Sequence, residues 1–141
     1  KIINALLNEG IPVMGHVGLL PQTSESYRVR GKEEAEATKI FSDALEIDKL
    51  GVFTIVLECI PESLAKKITK AVEAPTIGIG AGKHCDGQVL VINDMLGLDE
   101  SFTPKYLKRY AHLSQVIREA VMRFKEEVLE DTYPDKEHTY H

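Results

Sequence analysis

Val52-Phe53-Thr54-Ile55-Val56-Leu57 runs into Glu58-Cys59-Ile60-Pro61, residues 62–72 then show helical spacing of apolar side chains, and Pro75 restarts the chain at Thr76-Ile77-Gly78-Ile79. Two short apolar runs rich in β-branched residues, separated by a helical segment, read as parallel neighbours, because parallel strands need a crossover that a helix usually supplies. Pro61 suits the opening of that helix, where its missing amide hydrogen would be unpaired anyway. The class is α/β.

The same unit extends in both directions. Upstream, residues 1–9, with Ile2, Ile3, Leu6 and Leu7 on one face, read as the last turns of a helix closed by Gly10. Residues 11–19 read as a strand with Pro12 at its edge, residues 20–31 as a loop, and residues 32–50 as a helix with Ala37, Ile40, Phe41, Ala44 and Ile47 at helical spacing and Gly51 at its end. Downstream, the apolar run 89–92 reads as a fourth strand, followed by Asp94 and Gly97. Residues 103–129 fit one or two closing helices, starting near Pro104 and broken near His112. The polar stretch 131–141 reads as a docked tail whose histidines, His138 and His141, are surface groups rather than metal ligands.

With 141 residues and 43% hydrophobic content the chain can fill a core of moderate size. Its net charge of −5, with no basic patch beyond Lys105, Lys108 and Arg109, speaks against nucleic acid or an anionic membrane as partner. Cys59 and Cys85 have neither the spacing of a zinc site nor that of a disulfide framework, so a reducing cytoplasm is the expected location. No apolar run approaches the roughly 20 residues of a membrane helix.

Four strand-helix units standing alone would leave two open parallel edges. A closed (β/α)₈ barrel takes about 250 residues, so the expectation is that residues 1–141 supply the last four units and closing helices of one TIM-barrel domain. Its N-terminal half would come from elsewhere.

Barrel chemistry sits at the C-terminal ends of strands, which ranks His16, Glu58, the Gly78–Gly82 run and Asp94 above other polar residues. Glu58 follows directly on Thr54-Ile55-Val56-Leu57, where poor solvation would raise its pKa toward the range useful for proton transfer; otherwise it caps the next helix or pairs with a neighbour. His16, set in Gly15-His16-Val17-Gly18, is open to close approach by a ligand, or is a satisfied core histidine. The glycine run can present amides to an anion, or simply let strands crowd helices. Asp94 is a candidate ligand for a metal or polar group, or a capping residue.

Gly15-His16-Val17-Gly18-Leu19-Leu20-Pro21-Gln22, Val56-Leu57-Glu58-Cys59-Ile60-Pro61, Gly78-Ile79-Gly80-Ala81-Gly82 and Asp86-Gly87-Gln88-Val89-Leu90-Val91 occur in that order, and Tyr133-Pro134 leads to Glu137-His138 and His141 at the end. The series resembles the ketopantoate hydroxymethyltransferase family over almost the whole chain. The resemblance implies a TIM barrel that transfers the one-carbon unit of 5,10-methylenetetrahydrofolate to 3-methyl-2-oxobutanoate, giving ketopantoate for pantothenate and coenzyme A. It implies Glu58 as proton acceptor and His16 in the substrate pocket. It also implies Mg²⁺ or another divalent ion, whose ligands come from the N-terminal half and not from this chain, and a large, decamer-like homo-oligomer. On that basis this chain alone is expected to be inactive. The departure is Thr23-Ser24-Glu25-Ser26, where the family commonly has a longer, glycine-bearing loop. Two other readings are a different metal-dependent 2-oxo acid lyase or aldolase barrel, which a folate-dependent assay separates, and an assembly fragment acting through its C-terminal helices.

Overall fold

In a computed structural model describing residues 1–24 and 26–140, the chain falls into two compact units, Lys1–Val89 and Leu90–His141. The first is built on a parallel sheet whose four strands lie side by side in chain order: β1 (Met14–Gly18), β2 (Thr54–Glu58), β3 (Thr76–Ile79) and β4 (Gly87–Gln88). The registers place His16 beside Val56 and Val56 beside Ile77, and likewise Gly18 beside Glu58 and Glu58 beside Ile79. Helix α1 (Ile2–Asn8) precedes β1, α2 (Glu34–Lys49) links β1 to β2, and α3 (Glu62–Ala71) links β2 to β3. This is the architecture of a partial TIM barrel, as the apolar runs predict.

Alternation along the strands gives the sheet two unlike faces. Val17, Ile55 and Leu57 point one way and are buried with Ile40 and Ala44 of α2 and Leu64, Ala65 and Ile68 of α3. His16, Val56 and Glu58 point the other way and are only partly buried. The core therefore fixes the register that sends the two polar side chains to the opposite face, since a slip of one residue would bury them.

A polar network secures the start of β3. The Asp86 carboxylate accepts the Thr76 amide at 2.7 Å and the Thr76 hydroxyl at 2.9 Å, and that hydroxyl also lies 2.9 Å from Thr69 Oγ1. Thr76 is fully buried, and its amide hydrogen bond to Asp86, followed by the hydroxyl, holds the Asp86 pKa below the usual carboxylate range. Asp86→Ala, which leaves a buried amide unpaired, is expected to cost about 1–3 kcal/mol in urea unfolding at neutral pH. A carboxyl with a depressed folded-state pKa contributes stability that is present above its unfolded pKa and lost as pH falls through the folded one. The gap between wild type and Asp86→Asn should accordingly close on acidification below about pH 4.

Two expectations need correction. The fourth strand is Gly87–Gln88, not residues 89–92. The ladder ends where the Val89 amide donates to the Gly78 carbonyl at 3.0 Å; Val91 then caps α4 (Ile92–Met95), its carbonyl accepting the Met95 amide. The link from β3 to β4 is the loop 80–86, without the helix that an alternating unit implies. The glycines permit it: a Cβ on Gly78 would sit 2.9 Å from the Cys85 sulfur, and one on Gly87 2.7 Å from Ile77.

In the second unit, residues 103–112 form turns, and a single helix, α5 (Leu113–Leu129), follows with His112 at its N-terminal boundary. Tyr110 before it and Leu113 at its start close the end of α4: the Tyr110 amide donates to the Met95 carbonyl and the Leu113 amide to the Leu96 carbonyl. The Arg109 guanidinium meanwhile donates to the carbonyls of Asp99 and Phe102. No residue of α5 is buried; Val116, Ile117, Val121, Phe124 and Val128 are all exposed. The tail turns back locally, with Tyr133 edge-on to Phe124 at 5.3 Å and Asp135 held by His138.

Candidate functional site

Parallel pairing with Gly18 beside Glu58 brings the C-terminal ends of β1 and β2 together, and with them the two polar side chains of the open face. His16 Nε2 lies 3.2 Å from Glu58 Oε2, with side-chain exposures of 30% and 12%. The approach is not aligned for a full hydrogen bond, and Nε2 is covered with no other protein partner among the described residues. A buried ring nitrogen without an aligned partner is costly unless something else completes it, which favours a ligand-facing histidine over a satisfied core one.

Burial dominates at Glu58 and pushes its pKa above the ordinary carboxylate value, while the charge and proximity of His16 pull it back in part. A carboxylate in that condition is poised to take a proton and give it back. Rather than capping α3, whose N-cap Pro61 has no side-chain cap bond, Glu58 faces His16. The arrangement thus combines a proton acceptor with a polar ring nitrogen 3.2 Å away.

A groove of about 440 Å³ reaches His16 but not Glu58, and is bounded by Gly18, Leu20, Ser24, Arg30 and Lys39, among others. Arg30 is a wall residue that its loop position gave no reason to single out. Its Nη2 donates to Ser24 Oγ at 2.9 Å and its Nη1 lies 3.6 Å from Glu36. Glu36 is in turn held below the usual carboxylate range, chiefly by Arg28 and then by the Gly31 amide. The loop after β1 is thereby tied to α2 by charge, although Glu25 within the departure at 23–26 lies outside the described residues.

The glycine run behaves as packing: a Cβ on Gly82 would lie 2.6 Å from Glu62 Cβ, so the loop and the start of α3 meet at backbone distance. Asp94 lies in the first turn of α4, in the second unit. Burial raises the Cys85 thiol pKa, which disfavours the nucleophilic thiolate. His138 pairs with Asp135 at 2.6 Å, and His141 lies outside the described residues. Among the described residues no three His, Cys, Asp or Glu side chains come together as a metal site, and no helix is long and apolar enough to cross a membrane.

A sequence profile of the ketopantoate hydroxymethyltransferase family matches residues 1–136. The chain is 50% identical to the 3-methyl-2-oxobutanoate hydroxymethyltransferase of Desulfotalea psychrophila, over 99% of this chain and 51% of that protein. It is 49% identical to the enzyme of that name from Moorella thermoacetica and 51% identical to that from Caldicellulosiruptor bescii, in each case over 98% of this chain, covering 52% and 53% of the relatives. The chain thus spans about half the length of the curated relatives it matches.

Proposed function

Because the chain belongs to the ketopantoate hydroxymethyltransferase family, a family of transferases, we propose that it supplies the proton-transfer pair of a hydroxymethyltransferase acting on 3-methyl-2-oxobutanoate. The observation that carries the proposal is the 3.2 Å approach of His16 to a Glu58 whose pKa burial raises, at adjacent strand ends. The one-carbon donor is 5,10-methylenetetrahydrofolate, the product is ketopantoate, and the setting is cytoplasmic pantothenate and coenzyme A biosynthesis.

The chemistry needs a base because the substrate becomes a carbon nucleophile only after losing the proton on C3, next to its carbonyl. Glu58 takes that proton, and the electron pair left on C3 is delocalised into the carbonyl as an enolate. His16 presents its ring to an oxygen of the substrate, binding and orienting it across the strand ends. C3 then attacks the one-carbon unit at the oxidation level of formaldehyde: water breaks its two C–N bonds and supplies the oxygen, tetrahydrofolate leaves, and that oxygen takes a proton to become the hydroxyl as the new C–C bond forms. Partial burial keeps water from competing for the carboxylate and strengthens the electrostatic interaction between the two side chains. The divalent ion of the reaction is held by carboxylates from the half of the relatives that this chain does not span, as the family resemblance implies.

The complementary half is the first partner of this chain. Co-expression with the matching N-terminal half of the Desulfotalea psychrophila relative should restore folate-dependent transfer, whereas this chain by itself should show none. Transfer that proceeds without the folate donor would point to a different 2-oxo acid lyase. A homo-oligomer is the second partner, supported by the exposed apolar face of α5; sizing of the co-expressed protein by light scattering should give a large assembly.

The pH profile tests the pair itself. Transfer requires ionised Glu58, so it rises with pH through the raised pKa of that carboxyl, placing the acid limb above the ordinary glutamate value of about 4.3. His16 pulls that pKa down, so His16→Gln should move the acid limb to still higher pH and raise KM. An acid limb that stays in place would separate His16 from the titration of Glu58.

A further inference from the structure

On either side of the Glu58 carbonyl the backbone adopts conformations that proton transfer by itself does not demand. Gly18, the last residue of β1, has φ +99°, and Cys59, the first residue after β2, has φ +50°. For a residue with a Cβ the second value is uncommon, and such residues persist only where their surroundings fix them.

We propose that Gly18 and Cys59 are positioning residues, forming a backbone clamp at the ends of β1 and β2 that aims the Glu58 carboxylate at His16 and the substrate. The proposal rests on the reading of Glu58 as the base.

Three hydrogen bonds define the clamp. The Leu19 amide donates to the Glu58 carbonyl at 2.9 Å, the Cys59 amide to the Ile79 carbonyl at 2.9 Å, and the Arg30 amide to the Cys59 carbonyl at 2.8 Å. The peptide units flanking Cys59 are thus held by the ends of β1 and β3 and by the loop from β1. The left-handed turn at Cys59 ends the pleat of β2 at Glu58 and directs Ile60 into the core, where it is 2% exposed. Continued extension would instead carry the chain on along the sheet.

The two positions have opposite requirements. A Cβ on Gly18 would overlap the Glu58 carbonyl oxygen and come within 2.8 Å of Ile60 Cγ2, so only glycine lets β1 approach closely enough for Leu19 to reach that carbonyl. Cys59 carries a buried side chain, and its Cβ confines the backbone to the narrow left-handed well. Glycine there would spread over a much wider range of φ. A base must be held within about half an ångström of its productive position, and this confinement supplies the restraint nearest to the carboxylate.

The test compares Cys59→Gly, Cys59→Ala and Gly18→Ala in the chain co-expressed with the complementary half of a relative, with Glu58→Gln alongside. Ala retains the Cβ, so Cys59→Ala should keep kcat and the acid limb of the pH profile within about twofold and 0.3 pH unit of the unaltered protein. Cys59→Gly should assemble normally and keep KM within about twofold, yet lose roughly 10- to 100-fold in kcat, with a displaced acid limb. Gly18→Ala should lose at least as much. Cys59→Gly with unaltered kcat and acid limb overturns the proposal, as does equal damage in Cys59→Ala, which assigns the effect to the thiol. Glu58→Gln retaining full activity overturns the base itself, a result distinct from failure of the clamp alone.

Discussion

Glu58→Gln is expected to lower hydroxymethyl transfer by roughly 10²- to 10⁴-fold, the usual contribution of a positioned general base, with little change in KM. Glutamine preserves the shape of the side chain and can still approach His16, so substrate binding and the packing of β2 survive. What it lacks is the capacity to accept the C3 proton at any pH, so the variant should also lose the rising acid limb. A second measurement isolates the step: solvent deuterium exchange at C3 of 3-methyl-2-oxobutanoate, followed by proton NMR without the folate donor. Exchange should be fast in the unaltered assembly and fall by a similar factor in Glu58→Gln. Undiminished exchange would assign the proton to another residue and leave Glu58 with a binding role.

Ile68→Ala should produce the largest effect on stability. Ile68 is fully buried on α3, in the same cluster as Ile55, Leu57, Leu64 and Ala65, and removing its outer carbons leaves a cavity between helix and sheet. Such truncations cost about 2–5 kcal/mol, a large share of the 5–15 kcal/mol that typically holds a domain together. Thermal unfolding should shift down by about 10 °C or more. Ile117→Ala removes the same atoms from α5, where the isoleucine is 51% exposed, and should shift unfolding of this chain by far less. Equal shifts would show that α5 is covered in the protein as measured.

The relation between these side chains and the sequence is uneven. The strands β1 to β3 and the helices α2 and α3 were readable because short apolar runs bounded by glycine and proline mark the strands, and helices crossing such a sheet show an apolar stripe. Glu58 and His16 stood out for the same reason, as polar residues ending or interrupting those runs, and the structure brings them within 3.2 Å of one another. The displaced fourth strand shows the limit: Gly87 and Gln88 hold their place through backbone pairing, while the apolar residues after them, Val89 and Val91, are half exposed. Residues 103–112 have helical spacing, but the Tyr110 amide is engaged by the Met95 carbonyl of α4, a tertiary demand that local periodicity does not register. The left-handed turn at Cys59 is equally silent in the sequence, since cysteine does not announce that conformation. Arg30 and Glu36 join across a loop whose closure depends on three-dimensional pairing.

The order of strands in the sheet is also their order in the chain, so no strand has to be threaded between two already paired ones. As the polypeptide leaves the ribosome, each new strand can add to the edge of a sheet already formed, and the newest edge is always the growing one. A fold that grows by accretion can be interrupted at a boundary between units and resumed by a second polypeptide presenting the next edge. Among the described residues, β1 and β4 are the two edges of the sheet at which such accretion continues.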